Sequence, residues 1–251
     1  MTHPSGTAYE RDLYSAPELE VAQRNFLEAR FFAHCDQIAS DALGALEADG
    51  GQNMTTELRS GWSRFIRSLN ERSPNRLAYL RKLWADTMVA RREEIRQNWH
   101  AFRRESDPVT FKETELLLQK DHADAKGLLL LLQRLIDSPE TSSFVNNMIW
   151  SVLKIHNTDR SFLTSDRPVI MSNGIAYWDS SIVVPIGPKS LFVAANTNEA
   201  LSRVNRIPCD RIVTWINDRA ARQAERLVFG TNDRQLRFVE NRLRQPISTH
   251  P

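Results

Sequence analysis

The sequence predicts an α+β protein in which an N-terminal multi-helix layer packs on a small, mostly antiparallel sheet that two C-terminal helices close. Three observations predict it. From about residue 15 to 140, apolar residues recur at three- and four-residue steps, the spacing of helices buried along one side. After Pro139 the period shortens, and short apolar runs punctuated by Gly, Pro, Asn and Asp follow one another to about residue 195, as strands do. From about residue 209 the helical spacing returns, now with many arginines.

Composition agrees with a soluble globular chain: 251 residues, 41% hydrophobic and 25% charged. The length is ample for a core. The net charge is only +2, but it is polarised. Residues 1–50 carry a balance of −6, and residues 203–245 one of +5. Two cysteines, Cys35 and Cys209, offer neither metal spacing nor a disulfide framework, which suits a reducing, cytoplasmic setting. The longest apolar run, Leu128 to Leu132, falls far short of the roughly 20 residues that span a bilayer, so no membrane segment is expected. The expected organisation is a loose lead-in over 1–14 and a single domain over 15–251, its helical part 15–140 and its sheet with closing helices 145–245.

Taken in order, Ser15 caps a first helix with Pro17 in its opening turn, and the apolar series from Leu19 through Cys35 to Leu46 carries it to Gly50-Gly51. A second starts at Thr55 or Thr56 with Leu58, Trp62, Phe65, Ile66 and Leu69 on one face. Ser73-Pro74 breaks it and starts a third, whose buried side runs from Leu77 and Leu80 to Trp99 and Phe102. The opposite side of that helix interleaves arginines with Asp86, Glu93 and Glu94, a solvated face. Helices at about 110–121 and 124–137 follow; Gly127 to Leu132 is apolar all round and predicts packing on every side. Asp121-His122-Ala123-Asp124 has the residue types of a metal cluster, but capping accounts for its aspartates equally, and no metal is expected.

Residues 147–156 then read better as a strand than as a helix, with a helical start at 140–147 also compatible with the sequence, and 157–160 as a hairpin loop to a strand at 161–165. Further strands are expected at 168–171, 175–178, 182–186 and 190–195, with Pro185 confining the 182–186 strand to an edge or a bulge. Residues 196–205 read as a short helix or loop, and the closing helices span about 209–229 and 232–244.

Several of these residues carry a resemblance. Arg72-Ser73-Pro74, Trp150, Thr164-Ser165-Asp166-Arg167-Pro168-Val169, Val184-Pro185-Ile186-Gly187-Pro188, Ile216-Asn217, Ala224 and Val228-Phe229 resemble, in that order, a bacterial family known as domain of unknown function 4238. The similarity runs from about residue 9 to the end, and the TSDxPV string is its most specific part. Family members typically open with a QHYVP-like strand that supplies a histidine; this chain has no counterpart. The resemblance implies a fold and brings no activity with it.

Chemistry centres on the turn at Thr164, Ser165 and Asp166. An aspartate after two hydroxyls and two before a proline suits a turn whose carboxylate accepts backbone N–H bonds. The alternative is a ligand-binding carboxylate at the rim of the sheet. In the hairpin register His156 lies opposite Ser161, ~16 Å along the strand from Asp166 at ~3.3 Å per residue, so an acid–base dyad is excluded on geometry. Asn217 falls on the apolar half of the helix that carries Ile212, Val213, Ile216 and Ala220. A buried amide needs a partner; it either ties the helix to a sheet-edge backbone or lines a polar pocket beside Asp166. Arg211, Trp215, Arg219, Arg222 and Arg226 share the other half, an anion-binding surface or a solvated stripe with an Asp218–Arg222 pair.

No phosphate loop, HExxH, paired CxxC or dinucleotide fingerprint occurs, and no cofactor is expected. The sequence assigns no reaction. It leaves a ligand-binding or hydrolytic domain with a site at the turn, a protein that docks a protein partner through its basic face, and a nucleic-acid-binding accessory protein as alternatives.

Overall fold

A computed structural model describes residues 33–245 of the chain except 72, 121, 122 and 244. The helices before the sheet are α1 (Ala33–Asp49), α2 (Thr56–Glu71), α3 (Pro74–Gln97), α4 (Trp99–Phe102), α5 (Phe111–Lys120), α6 (Ala123–Asp137) and α7 (Pro139–Asn147). Strands β1 (Ile149–Lys154), β2 (Thr164–Ser165), β3 (Ile170–Met171), β4 (Ser181–Gly187) and β5 (Ser190–Ala195) follow. Then come α8 (Asn198–Asn205), α9 (Cys209–Gln223), β6 (Val228–Phe229) and α10 (Leu236–Glu240). The predicted lead-in, the Ser15 cap and the side chains of residues 121–124 lie outside the described residues.

Strand β5 decides the topology. Leu191 through Ala195 is apolar at every position and fully buried, so it needs a neighbour on each edge and a layer on each face. Antiparallel β1 and β4 flank it, and β3 completes the order β1-β5-β4-β3. The predicted pairing of 147–156 with 161–165 is therefore corrected: β1 pairs with β5, and β2 pairs with β6. Asn157, in the left-handed region at φ 54°, swings the chain out of the sheet after β1, and Lys189 Nζ donates to the carbonyls of Thr158 (2.7 Å) and Arg160 (2.6 Å). Pro185 stands at a register shift between Pro185 and Gly187, the bulge expected of it.

Alternation along β4 and β5 sorts two cores. Ile182, Val184, Phe192 and Ala194 meet Ala39, Ala42 and Leu46 of α1, Trp62 and Ile66 of α2, and Val145 of α7. On the other face Val183, Leu191 and Val193 meet Ile212, Val213 and Ile216 of α9, with Leu201 and Val204 of α8 at the margin. The helix-on-sheet arrangement is thus the α+β class expected. Chain contacts divide the described residues into two compact units: His34–Ser73 with the chain from Ser138 onward, and Pro74–Asp137. The second has its own core of Leu77, Leu80, Leu132 and Ile136. Leu130 stands exposed there, so α6 is not packed on every side as its composition suggests; a unit this small buries one stripe of a helix, not its circumference.

Local chemistry sets the helix ends. Gly50 and Gly51 adopt φ 74° and 82° after α1, where a side chain would be strained. The Gly51 N–H donates to Asp49 Oδ1 at 2.8 Å and Asn53 Nδ2 to Asp49 Oδ2 at 2.8 Å. These bonds, the Asn53 amide foremost, hold the Asp49 carboxyl below its ordinary value against some desolvation. Thr55 Oγ1 accepts from the Leu58 N–H (3.2 Å) and starts α2. Arg59 closes α7: Nε donates to the Asn146 carbonyl (2.9 Å), Nη2 to that of Met148 (2.6 Å), and the guanidinium lies over Trp150 at 3.9 Å. Burial pushes its pKa down from the usual arginine value.

Gly61 is where α2 approaches α1, and a β-carbon there would sit 2.1 Å from Ile38 Cγ2. Gly61→Ala is expected to lower the unfolding free energy by about 1–3 kcal/mol despite alanine's better helix propensity, because the overpacking outweighs it. A shift of the urea midpoint at unchanged slope checks this; an unchanged or raised midpoint refutes it.

Three predicted elements differ. Residues 175–178 form no strand; Tyr177 and Trp178 stand exposed on a turn that Asn196 Nδ2 fastens through the carbonyls of Ile175 (2.9 Å) and Tyr177 (2.5 Å). The closing helices are also shorter than their periodicity suggests: α9 stops at Gln223, and among the described residues of 232–244 only Leu236–Glu240 is helical. The end of α9 is set by the turn at Asp166.

Candidate functional site

Helix α9 is fastened to the extended segment 161–169 at two levels. At the first, Asn217 is 1% exposed. Its Oδ1 accepts from the Leu163 N–H (2.8 Å), and its Nδ2 donates to the Ser161 carbonyl (2.9 Å) and to Gln235 Oε1 (2.7 Å). Gln235 Nε2 donates to the same Ser161 carbonyl at 3.0 Å. One amide therefore stands in for two rungs of a β-ladder and binds helix, strand segment and α10 approach together.

The second level lies at the end of the helix, six residues on and so ~9 Å further along its axis. Ala224 leaves α9 with extended dihedrals (φ −59°, ψ 135°). The freed N–H groups of Glu225, Arg226 and Leu227 donate to the Asp166 carboxylate, at 2.9 Å to Oδ1 and at 2.7 and 3.0 Å to Oδ2. The Asp166 N–H returns a bond to the Leu227 carbonyl (3.1 Å), and β2–β6 pairing, Ser165 with Val228 and Thr164 with Phe229, continues from there. Gln223 Nε2 reaches the carbonyls of Arg167 and Val169 (3.3 Å to the latter). Ser165 Oγ accepts from the Arg167 N–H (3.2 Å), closing the turn on itself. A helix continuing to 229 would need the amides that this carboxylate takes.

The predicted site residues consequently separate. Ser165 is buried and Asp166 half-buried, both engaged with backbone. Thr164 lines a hollow of about 220 Å³ with Phe162, Ile186 and Phe229, a largely apolar crevice. Asn217 lines a different one, about 510 Å³ in volume. Asp166 lines neither of these two hollows, whereas Asn217 borders the larger.

The basic half of α9 is partly consumed within the protein. Arg222 Nε pairs with Asp218 at 2.9 Å, the i,i+4 pair expected from the sequence, and Arg242 Nε joins the same carboxylate at 2.7 Å. Arg219 lies over Trp215 at 5.9 Å. Arg211 and Arg226 are exposed at the two ends of the stripe.

Apart from Asn217, the larger hollow gathers residues that the sequence did not single out. Its walls are Asp159, Arg160 and Ser161 on the loop before β2, Val213, Thr214 and Asn217 on α9, and Asn232, Arg234, Gln235 and Phe238 around α10. Arg160 Nη1 donates to Thr214 Oγ1 at 2.6 Å, which leaves Nε and Nη2 uncommitted. Among the described residues neither Arg160 nor Arg234 has a carboxylate within ion-pair reach. Gln235 keeps one amide hydrogen beyond its bond to Ser161. The hollow is thus rich in donors and lies within the 300–1,000 Å³ range (roughly) of small-molecule sites. Reading 157–160 as a hairpin loop hid Arg160, and starting a helix at 232 hid the segment that brings Arg234 and Gln235 beside Asn217.

Among the described residues no group of three His, Cys, Asp or Glu side chains is placed to hold a metal, and no helix is long and apolar enough to cross a membrane. Over residues 2–234 the chain matches the family described as protein of unknown function (DUF4238). No curated protein and no solved structure matches it.

Proposed function

We propose that this chain, which belongs to the DUF4238 family of proteins of unknown function, is a ligand-binding protein whose 510 Å³ hollow takes a small anionic molecule. The observation that carries this reading is the pair Arg160 and Arg234: two arginines lining one hollow, with no carboxylate partner among the described residues, beside the buried amide of Asn217 and the half-buried one of Gln235. Guanidinium groups aimed at one space are suited to a carboxylate or phosphate, whose paired oxygens match their fork geometry. Asp166 and Asn217 then serve as the fastenings that hold the hollow's walls in register, and Ser165 as part of its frame. The basic stripe of α9 is a weaker docking surface, since Asp218 neutralises part of it.

Calorimetric titration with inorganic phosphate, ribose 5-phosphate and citrate tests the reading. At least one should bind, and Arg160→Gln and Arg234→Gln should each weaken it about tenfold, near 1.4 kcal/mol, while the urea midpoint stays close to that of the unsubstituted protein. Affinity unaffected by both substitutions refutes it. Binding instead to a single-stranded oligonucleotide, with an affinity that falls steeply with salt, would favour the nucleic-acid alternative.

A further inference from the structure

The hollow is far larger than a phosphate or carboxylate group and is not polar throughout. Phe238 lines it, and the Arg242 guanidinium lies over one face of that ring, 3.7 Å from its centre. Arg242 is in turn fixed by Asp218 Oδ1 (2.7 Å) and by the Phe238 carbonyl (3.3 Å). That face is therefore closed, and what the ring can offer to the hollow is its other face or its edge. Val213 adds a second apolar contribution from α9.

Resting on the anionic-ligand reading, we infer that the occupant has a planar heterocyclic body as well as its anionic group, the chemistry of a nucleoside monophosphate. The phosphate is dianionic and suits two arginines better than a single carboxylate does. The heterocycle stacks against Phe238, since a base presents a π-face whatever its identity. A hydrocarbon ring in its place would cover the free amide hydrogen of Gln235 without satisfying it, whereas a base supplies acceptors for it. The size agrees, because a mononucleotide fills much of a hollow of this class whereas inorganic phosphate leaves most of it to water.

Titration with AMP, GMP, CMP and UMP beside ribose 5-phosphate, inorganic phosphate and benzoate tests this. At least one nucleoside monophosphate should bind about tenfold more tightly than ribose 5-phosphate, the increment expected of one stacked base. Phe238→Leu keeps apolar volume without a π-face and should bring the nucleotide down to the sugar phosphate's level while leaving ribose 5-phosphate within about twofold. Phe238→Trp should preserve the preference, which separates loss of stacking from local disruption of α10. Ribose 5-phosphate binding as tightly as every nucleotide, or benzoate outcompeting them, overturns the nucleotide inference and leaves the anion reading standing. No binding of any anionic probe up to about 10 mM, a free energy weaker than roughly 3 kcal/mol, overturns both.

Discussion

Asp166→Ala is expected to lower the unfolding free energy by about 3 kcal/mol, one of the two largest single-residue effects in this protein. The carboxylate accepts three backbone N–H bonds from residues 225–227, and bonds to a charged acceptor contribute about 1.5–3 kcal/mol each, less where water can replace the partner. Because Asp166 is half-buried, the total falls short of three full contributions. Asp166→Asn should cost less, about 1–2 kcal/mol: its oxygen can replace Oδ2, which accepts two of the bonds, but its NH₂ then faces the third N–H. Urea unfolding measures both losses, and hydrogen exchange should locate them, with the amides of residues 225–229 losing protection first. Equal stability of the alanine variant, or loss of anion binding at unchanged stability, would show that the carboxylate serves a ligand and not the frame.

A comparable loss, about 3–4 kcal/mol, is expected of Asn217→Leu, a substitution of similar volume that removes only the hydrogen bonds. It leaves the Leu163 N–H without its acceptor and Gln235 Oε1 without its donor, and it weakens the satisfaction of the Ser161 carbonyl, all in a position 1% exposed. Leucine's extra transfer energy offsets part of this, which is why the estimate stays below the sum of three buried unsatisfied groups. Since Asn217 also borders the hollow, anion binding should weaken as well, in proportion to how far the 161–163 segment separates from α9. A fully stable Asn217→Leu protein would mean that the segment is held by its flanking apolar side chains, Phe162 and Leu163, and not by the amide.

These two residues also mark how far the site could be read in advance. Asn217 was legible because an amide amid Ile212, Val213, Ile216 and Ala220 on one helical face must be buried, and a buried amide must be partnered. Which backbone it would meet was not legible, since Ser161 and Leu163 lie more than 50 positions away. Asp166 was legible as a residue bound to backbone N–H groups, but local turn chemistry pointed to its own neighbours. The amides it holds belong to residues 225–227. Arg160, Arg234 and Phe238 carry no sequence signal at all, being an arginine in a chain with 27 of them, another arginine, and one phenylalanine of 11. Only their convergence around one hollow distinguishes them.

Taken alone, the sequence determined what depends on neighbours a few positions apart. Helices α2, α3, α5 and α6 start and stop close to where capping residues, prolines and the 3.6-residue spacing put them, and β4 and β5 arise from short apolar runs bounded by turn residues. Tertiary structure decided what depends on competition for the same hydrogen-bonding groups. Strand β1 pairs with β5 because a wholly apolar strand must be enclosed on both edges. Helix α9 ends at Gln223 because a distant carboxylate takes the next amides. Local periodicity records which side of an element avoids water; it does not record which of several satisfiable partners is within reach once the chain has closed on itself.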